Sequence, residues 1–125
     1  MLRASEVVSL HMNLTEENKE FVNASRIALM KKGAYLLNCA RGGLIHEADV
    51  AVALKSGQLG GYGADVVEPE PILKTNPLLA APNVVLTPHV ASRTYESVER
   101  QATMAAENLI RVLGGQPPLA QANKL

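Results

Sequence analysis

Four short apolar runs, the last three breaking at Gly- or Pro-marked turns and all set apart by segments of helical or loop character, constrain this chain more than any other feature. The runs fall at residues 7–12, 35–38, 61–67 and 83–86. They are too short for buried helices, and the first carries β-branched residues, so they read as strands. Thr15 has the character of an N-cap, with Glu16 and Glu17 in the first turn of the helix it opens, where the helix dipole favours negative charge. Ser25 is placed to cap a second short helix over 26–32, which Lys31, Lys32 and Gly33 would stop. From 47 to 56, Ala48, Ala51, Val52 and Leu54 recur at helical spacing, with His46 near the N-cap and Gly57 at the end. The Pro-containing stretch before the last strand is loop, with one helical turn at 77–80. Strands alternating with helices predict an α/β fold with a parallel sheet and right-handed crossovers.

The clearest helix comes last, over 95–113. Val98, Ala102, Ala105, Leu109 and Val112 step by four, three, four and three, giving one apolar face that must be covered; Gly114 and Gly115 close it. At 125 residues the chain suits one ordinary domain. With 47% hydrophobic residues, one Phe, three Tyr and no Trp, its core falls to Val, Leu, Ile and Ala, a bias that suits parallel strands under helices. Twelve basic and twelve acidic residues cancel without long blocks of either sign, which argues against nucleic acid and an acidic membrane surface as partners. A single cysteine, Cys39, permits no internal disulfide, and neither a signal peptide nor a membrane-length apolar run is evident. The expectation is a cytoplasmic protein.

Three of the strand-like runs lead to a charged or titratable residue: Arg41 in Asn38-Cys39-Ala40-Arg41-Gly42-Gly43, Asp65 in Asp65-Val66-Val67-Glu68-Pro69-Glu70-Pro71, and His89 in Thr87-Pro88-His89-Val90-Ala91. In an open parallel sheet, ligands gather beyond the carboxyl ends of the strands, so these three positions converge on one candidate site. An Arg holds a carboxylate through paired hydrogen bonds, a His passes a proton near neutral pH, and a carboxylate beside that His stabilises its charged form. Those are the needs of a 2-keto or 2-hydroxy acid centre. Glu70 and Glu68 compete as the partner of His89. Asp65 reads either as a surface turn carboxylate or as an acceptor for an amide on a bound cofactor. Cys39 reads as a small buried hydrophobe rather than a nucleophile, and no His, Cys, Asp or Glu cluster has metal-ligand spacing.

On these motifs the chain resembles the C-terminal portion of a D-isomer-specific 2-hydroxyacid dehydrogenase. The resemblance runs from Val7 to the final helix and rests on Ser9-Leu10-His11, Leu37-Asn38-Cys39-Ala40-Arg41-Gly42, Gly63-Ala64-Asp65-Val66 with Glu70-Pro71, and Thr87-Pro88-His89-Val90-Ala91. It implies a partial doubly wound, Rossmann-like domain. Residues 1–92 would be the C-terminal part of a nicotinamide-dinucleotide-binding domain, and 93–125 a crossing helix and tail returning toward a substrate domain. It implies that Arg41 holds and polarises the 2-keto acid, that His89 donates or accepts the proton, and that Glu70 supports His89. It places Met12, Asn13, Asn18, Cys39, Ala40, Arg41, Asp65, His89 and Ala91 where the family contacts NAD, NADP not being excluded, with Asp65 at the nicotinamide carboxamide.

Three positions depart from the family pattern: Asn13 where Pro is usual, His46 where an acidic cap is common, and Val67 where an aromatic is frequent. The 125 residues contain no Gly-x-Gly-x-x-Gly, the loop that holds a dinucleotide's pyrophosphate. The expectation is therefore that these residues alone neither bind NAD tightly nor turn over. The rival reading is a non-catalytic interaction or regulatory protein, or a truncated remnant of such a dehydrogenase. An unpaired sheet edge and a bare helix face would favour a homodimer or other self-association.

Overall fold

The computed structural model describes residues 1–121. Two units are distinguished, Met1–His89 and Val90–Leu125, the last four residues of the tail lying outside the described residues. The first unit holds one sheet of four parallel strands in sequence order: β1 (Val7–Leu10), β2 (Ala34–Asn38), β3 (Leu59–Ala64) and β4 (Val84–Leu86). Helix α1 (Ala24–Ile27) lies between β1 and β2, and α2 (Glu47–Ser56) between β2 and β3. Short 3-10 turns occupy Glu16–Asn18, Gly42–Leu44 and Pro77–Ala80. This is the parallel α/β arrangement the alternation predicts and the Rossmann-like one the resemblance implies.

Period-two alternation decides which face is covered. Val8 and Leu10 of β1, Ala34, Leu36 and Asn38 of β2, and Tyr62 and Ala64 of β3 are buried, in one core with Val50, Ala51 and Leu54 of α2 and with Leu78. The opposite face is bare: Val7 and Tyr35 are 55% exposed and Val85 68%. On that face Tyr35 and Leu37 lean over Gly61 and Gly63, where a β-carbon would meet their side chains at 2.9 Å. The composition predicted strands buried under helices; in this unit the cover is on one side only.

Three elements, α1, β1 and β3, differ from expectation by two residues or more at an end, and β2 and β4 by one. Helix α1 is capped by Asn23, whose Oδ1 accepts from the Arg26 N–H (3.4 Å), and ends at Ile27. Ser25 instead donates its hydroxyl to that same Oδ1 (2.7 Å), so an Asn two residues upstream takes the capping role. β1 stops at Leu10, two residues early. β3 begins at Leu59 and ends at Ala64 rather than spanning 61–67, because its pairing starts at Ala34↔Leu59 and β2 turns away at Asn38. Gly57 ends α2 in the left-handed region (φ 73°), as a helix-stopping glycine should.

The second unit is built on α3 (Tyr95–Leu113), capped by Thr94 Oγ1, which accepts from Ser97 N–H. No residue of α3 is buried; Val98, Leu109 and Val112 of its apolar stripe are each more than half exposed. The tail folds back on the helix, with the Leu119 and Ala120 N–H groups donating to Asn108 Oδ1. Among the described residues no helix is long and apolar enough to cross a membrane.

Candidate functional site

Because all four strands run the same way, β2, β3 and β4 deliver their following segments to one edge of the sheet, in neighbouring positions. Arg41 follows β2, Asp65 follows β3, and His89 follows β4. The pairing carries past the strand ends: Asp65 N–H donates to Asn38 O (3.0 Å), and Thr87 N–H donates to Ala64 O (2.9 Å). Sheet geometry thus sets the backbone of Asp65 and Thr87, and Thr87 Oγ1 donates to Asp65 Oδ1 at 2.5 Å. Asp65 is buried, at 4% exposure, which removes the surface-turn reading.

His89 takes a left-handed backbone (φ 55°), its N–H donating to Thr87 O (3.0 Å). For a non-Gly residue that conformation is uncommon and strained, and strain of this kind concentrates where a side chain must point in one direction. The direction here is toward Glu70: His89 Nδ1 and Glu70 Oε2 are 2.9 Å apart. Glu70 Oε1 accepts from the Val67 N–H (3.2 Å). The His89 contact first, and the Val67 N–H second, hold the Glu70 carboxyl below its ordinary value. Glu68, the competing carboxylate, does not bond His89; it lines a separate cleft of about 260 Å3 with Lys19, His46 and Glu47.

A cleft of about 440 Å3 opens at this edge. Asp65, Glu70, Thr87 and His89 are its polar lining, and Val67, Ile72, Leu79 and Leu86 are among its apolar walls. Apolar walls with a few convergent polar groups suit a small organic ligand. A flat ring with an amide substituent fits the chemistry: Asp65 offers a buried carboxylate, an acceptor for amide N–H, at the floor of that apolar space. These residues therefore fit the nicotinamide end of a dinucleotide.

Arg41 is exposed and is not among the residues lining that cleft. Its Nη1 donates to Ala40 O (2.6 Å), which leaves most of the guanidinium's five donors for a ligand. What fixes its loop is Asn38, fully buried: Nδ2 donates to Arg41 O (2.9 Å) and Oδ1 accepts from Ala40 N–H (3.1 Å). Asn38 carried no role in the sequence reading, although a polar residue at an inward strand position is itself a signal. Gly42 connects the Arg41 turn to the Glu70 loop. A β-carbon there would overlap the Val67 carbonyl and lie 2.8 Å from Glu68 N, so only glycine permits this approach.

The remaining candidates divide. Cys39 is exposed, not buried as expected, because Ala34, Leu36 and Asn38 take the inward positions and Cys39 falls on the outward beat. Asn18 closes the loop after β1, accepting from Thr15 N–H (2.8 Å) and donating to Asn13 O (2.7 Å). Met12 packs half-buried against the core, while Asn13 is exposed. Ala91 belongs to the second unit. His46 Nδ1 lies 3.0 Å from Asp49 Oδ2 without the alignment of a hydrogen bond. Among the described residues no group of three or more His, Cys, Asp or Glu is arranged for a metal ion.

Comparison with known proteins extends these observations. Residues 1–91 match the family model described as D-isomer specific 2-hydroxyacid dehydrogenase, NAD binding domain. The chain is 45% identical over 124 residues to a glyoxylate reductase of Thermofilum pendens, covering 99% of this chain and 37% of that protein. It superposes on the crystal structure of the TT0316 protein of Thermus thermophilus with a TM-score of 0.87 and 44% identity, covering 98% of this chain and 39% of the other. A D-isomer specific 2-hydroxyacid dehydrogenase of Xanthobacter autotrophicus Py2, solved with NADPH and MES, gives a TM-score of 0.82 and 38% identity over 98% and 50% of the two chains. The chain thus spans little more than a third of the length of the glyoxylate reductase it matches.

Proposed function

This chain belongs to the D-isomer specific 2-hydroxyacid dehydrogenase family, and from that premise we propose that it contributes the proton-transfer and substrate-holding groups of an NAD-dependent oxidoreductase. The reaction is hydride exchange between NAD(H), or NADP(H), and a D-2-hydroxy acid and its 2-keto acid. The observation that carries this reading is the Glu70–His89 pair at 2.9 Å on the rim of an apolar cleft floored by Asp65.

In this reading His89 Nδ1 is engaged by Glu70, so Nε2 is the nitrogen that gives a proton to the substrate oxygen in reduction and takes it back in oxidation. Glu70 fixes the ring orientation. Arg41 binds the substrate carboxylate and draws charge from the keto oxygen. Asp65 accepts from the nicotinamide carboxamide, and Met12, Asn13, Asn18, Cys39, Ala40, Arg41, His89 and Ala91 border the cofactor. The bound cofactor supplies the hydride. Val67, Leu79 and Leu86 keep water from the reacting atoms.

Residues 1–92 are read as the C-terminal part of the dinucleotide-binding domain and 93–125 as a crossing helix and tail; the extent of the family match, to residue 91, supports that division. Self-association, as a homodimer, is supported by the bare apolar face carrying Val7, Tyr35, Leu37 and Val85. Sedimentation of the wild type against a Leu37→Thr/Val85→Thr variant tests it, a monomeric wild type being the adverse result.

The activity is tested by exchanging this chain for the matching 124 residues of the Thermofilum glyoxylate reductase and following NADH oxidation with a panel of 2-keto acids. Turnover is expected, and His89→Ala should reduce it by about 10²–10⁴-fold, the usual contribution of a general acid. A folded chimera whose turnover ignores His89→Ala would refute the assignment. These 125 residues alone are expected to bind NADH more weakly than micromolar in a fluorescence titration.

A further inference from the structure

Glu70 sits on a stretch, 65–76, with no regular structure, and a chain of that length is ordinarily mobile. Something must hold its carboxylate toward His89. The peptide unit joining Val67 to Glu68 is fixed on two sides. Its carbonyl packs against Gly42, which has no β-carbon to repel it. Its N–H, that of Glu68, donates to Glu47 Oε1 at 3.1 Å. In the preceding peptide unit, the Val67 N–H reaches Glu70 Oε1 (3.2 Å), whose partner oxygen faces His89.

The second oxygen of Glu47, Oε2, accepts from Asn76 Nδ2 at 2.5 Å. Asn76 is buried, and its Oδ1 accepts from Leu78 N–H (2.9 Å), opening the 3-10 turn that seats Leu78 in the core. One carboxylate therefore ties two points of the stretch, Glu68 and Asn76, to a single helix. That helix is anchored by buried Val50, Ala51 and Leu54. An acid in the first turn of a helix is common for electrostatic reasons alone. Here, however, both oxygens are directed to the 65–76 stretch rather than to the N–H groups of α2.

We propose that Glu47 is a positioning residue for the proposed proton-transfer pair, acting through the Val67–Glu68 peptide to hold Glu70 against His89. The proposal rests on the functional reading above only for calling the pair catalytic; the positioning itself is a property of the chain. Glu47 hydrogen-bonds neither Glu70 nor His89 in this arrangement. Its effect is transmitted by backbone.

The test is the pH titration of the Glu70 side-chain carboxyl, followed by 13C NMR in the 125-residue chain without cofactor, for wild type, Glu47→Ala, Glu47→Gln and Asp49→Ala. The groups bearing on Glu70 are His89, which with the Val67 N–H lowers its pKa, and Asp65, which raises it. Glu47→Ala should move the Glu70 titration upward, toward 4.5, as both lowering contacts loosen. Glu47→Gln keeps an oxygen for Glu68 N–H and should restore most of the wild-type curve; it also supplies the reading if the alanine variant fails to fold. Asp49→Ala removes the bond from Ala24 N–H to the same helix and controls for lost stability alone. An unchanged Glu70 titration in Glu47→Ala, or an equal shift in Asp49→Ala, would overturn the proposal. A Glu70 shift with a chimera indifferent to His89→Ala would instead sink the catalytic reading and leave the positioning intact.

Discussion

Replacing Gly42 by alanine asks the most of this structure for a single methyl group. Gly42 is buried and its φ is not in the left-handed region, so the cost is contact rather than conformation. The added carbon would overlap the carbonyl carbon and oxygen of Val67 and fall about 0.6 Å short of ordinary van der Waals distance from Glu68 N. These are backbone atoms, so no rotamer change relieves the clash. The peptide is also held on its far side, by Glu47 at Glu68 N, and the preceding peptide by Glu70 at Val67 N. Overpacking of a close-packed interior costs about 1–3 kcal/mol, and a neighbour tethered in this way puts Gly42→Ala near the upper end. For a domain of this size about 3 kcal/mol corresponds to a drop in Tm on the order of 10 °C. Gly57→Ala is the contrast, since nothing lies within 4 Å of its β-carbon and only its positive φ is penalised, at about 1–2 kcal/mol. Thermal unfolding followed by circular dichroism, with the Glu70 titration read on the same samples, separates global from local damage. If the loop gives way first, Tm falls less and Glu70 titrates higher. A Gly42→Ala chain with Tm within about 2 °C of wild type and an unmoved Glu70 would refute the reasoning, since overpacking of about 1 kcal/mol alone should exceed that shift.

Asn38→Ala should cost about 2–4 kcal/mol in urea unfolding, because it leaves Ala40 N–H and Arg41 O without their side-chain partner and opens a small void beside Tyr62. Thr87→Val, close to isosteric, deletes the hydroxyl that donates to Asp65 and should cost about 1.5–3 kcal/mol, the range for a hydrogen bond to a charged group; a loss below about 0.5 kcal/mol would be typical of an ordinary surface site. Glu70, its pKa lowered in the fold, adds stability that is fully present above 4.5 and disappears as pH falls through the folded-state value; with the side chain 40% exposed the effect is small, and comparing unfolding of wild type and Glu70→Gln from about pH 6 to about pH 3 should show the two curves converging. In hydrogen exchange, Asp65 and Thr87 N–H, bonded to strand carbonyls, should outlast Val67 and Glu68 N–H, bonded only to carboxylates; the reverse order would contradict the division of the site into a sheet-held and a loop-held half.

How legible the molecule was depends on how local the signal is. The apolar run of β2 is visible in the sequence, as are the helical step of Glu47–Ser56 and its glycine stop, but the inward and outward beat of the strand is not, since the outward Tyr35 and Leu37 are apolar and the inward Asn38 is polar. Helix α1 misled because Asn23 and Ser25 are both competent caps two residues apart, and capping preference alone does not choose between them. Cys39 could have been placed outward by counting on from Leu36 in steps of one; its residue type, usually buried, argued the other way. Residue type alone left Glu70 and Glu68 open as the partner of His89, since both precede a proline; the family resemblance implied Glu70, and it is Glu70 that meets the His89 ring. Glu47, Asn76 and Gly42 escaped for a different reason. Their partners lie 21 to 29 residues away for Glu47, and across a loop for Gly42, so no period or spacing records the contact.

The two halves of the site are held by different physics. Asp65 and Thr87 inherit their positions from the parallel pairing of β2, β3 and β4, so their geometry is as firm as the sheet. Glu70 has no such inheritance: it lies beyond the last paired residue of β3, on a stretch fixed by one glycine approach and one carboxylate. His89 stands between the two, with its backbone turned by Thr87 and its ring turned by Glu70. A centre that must grip a cofactor ring and also move a proton has use for that division. Under the proposed function the floor at Asp65 has to be rigid to receive the ring, whereas His89 as the acid must be oriented closely yet remain free to exchange its proton with a ligand, and 52% exposure of its side chain leaves it that access. The fold thus assigns the sheet to holding and the loop to tuning. Changes in 67–76 are accordingly expected to alter the pH dependence of the site before they alter its shape.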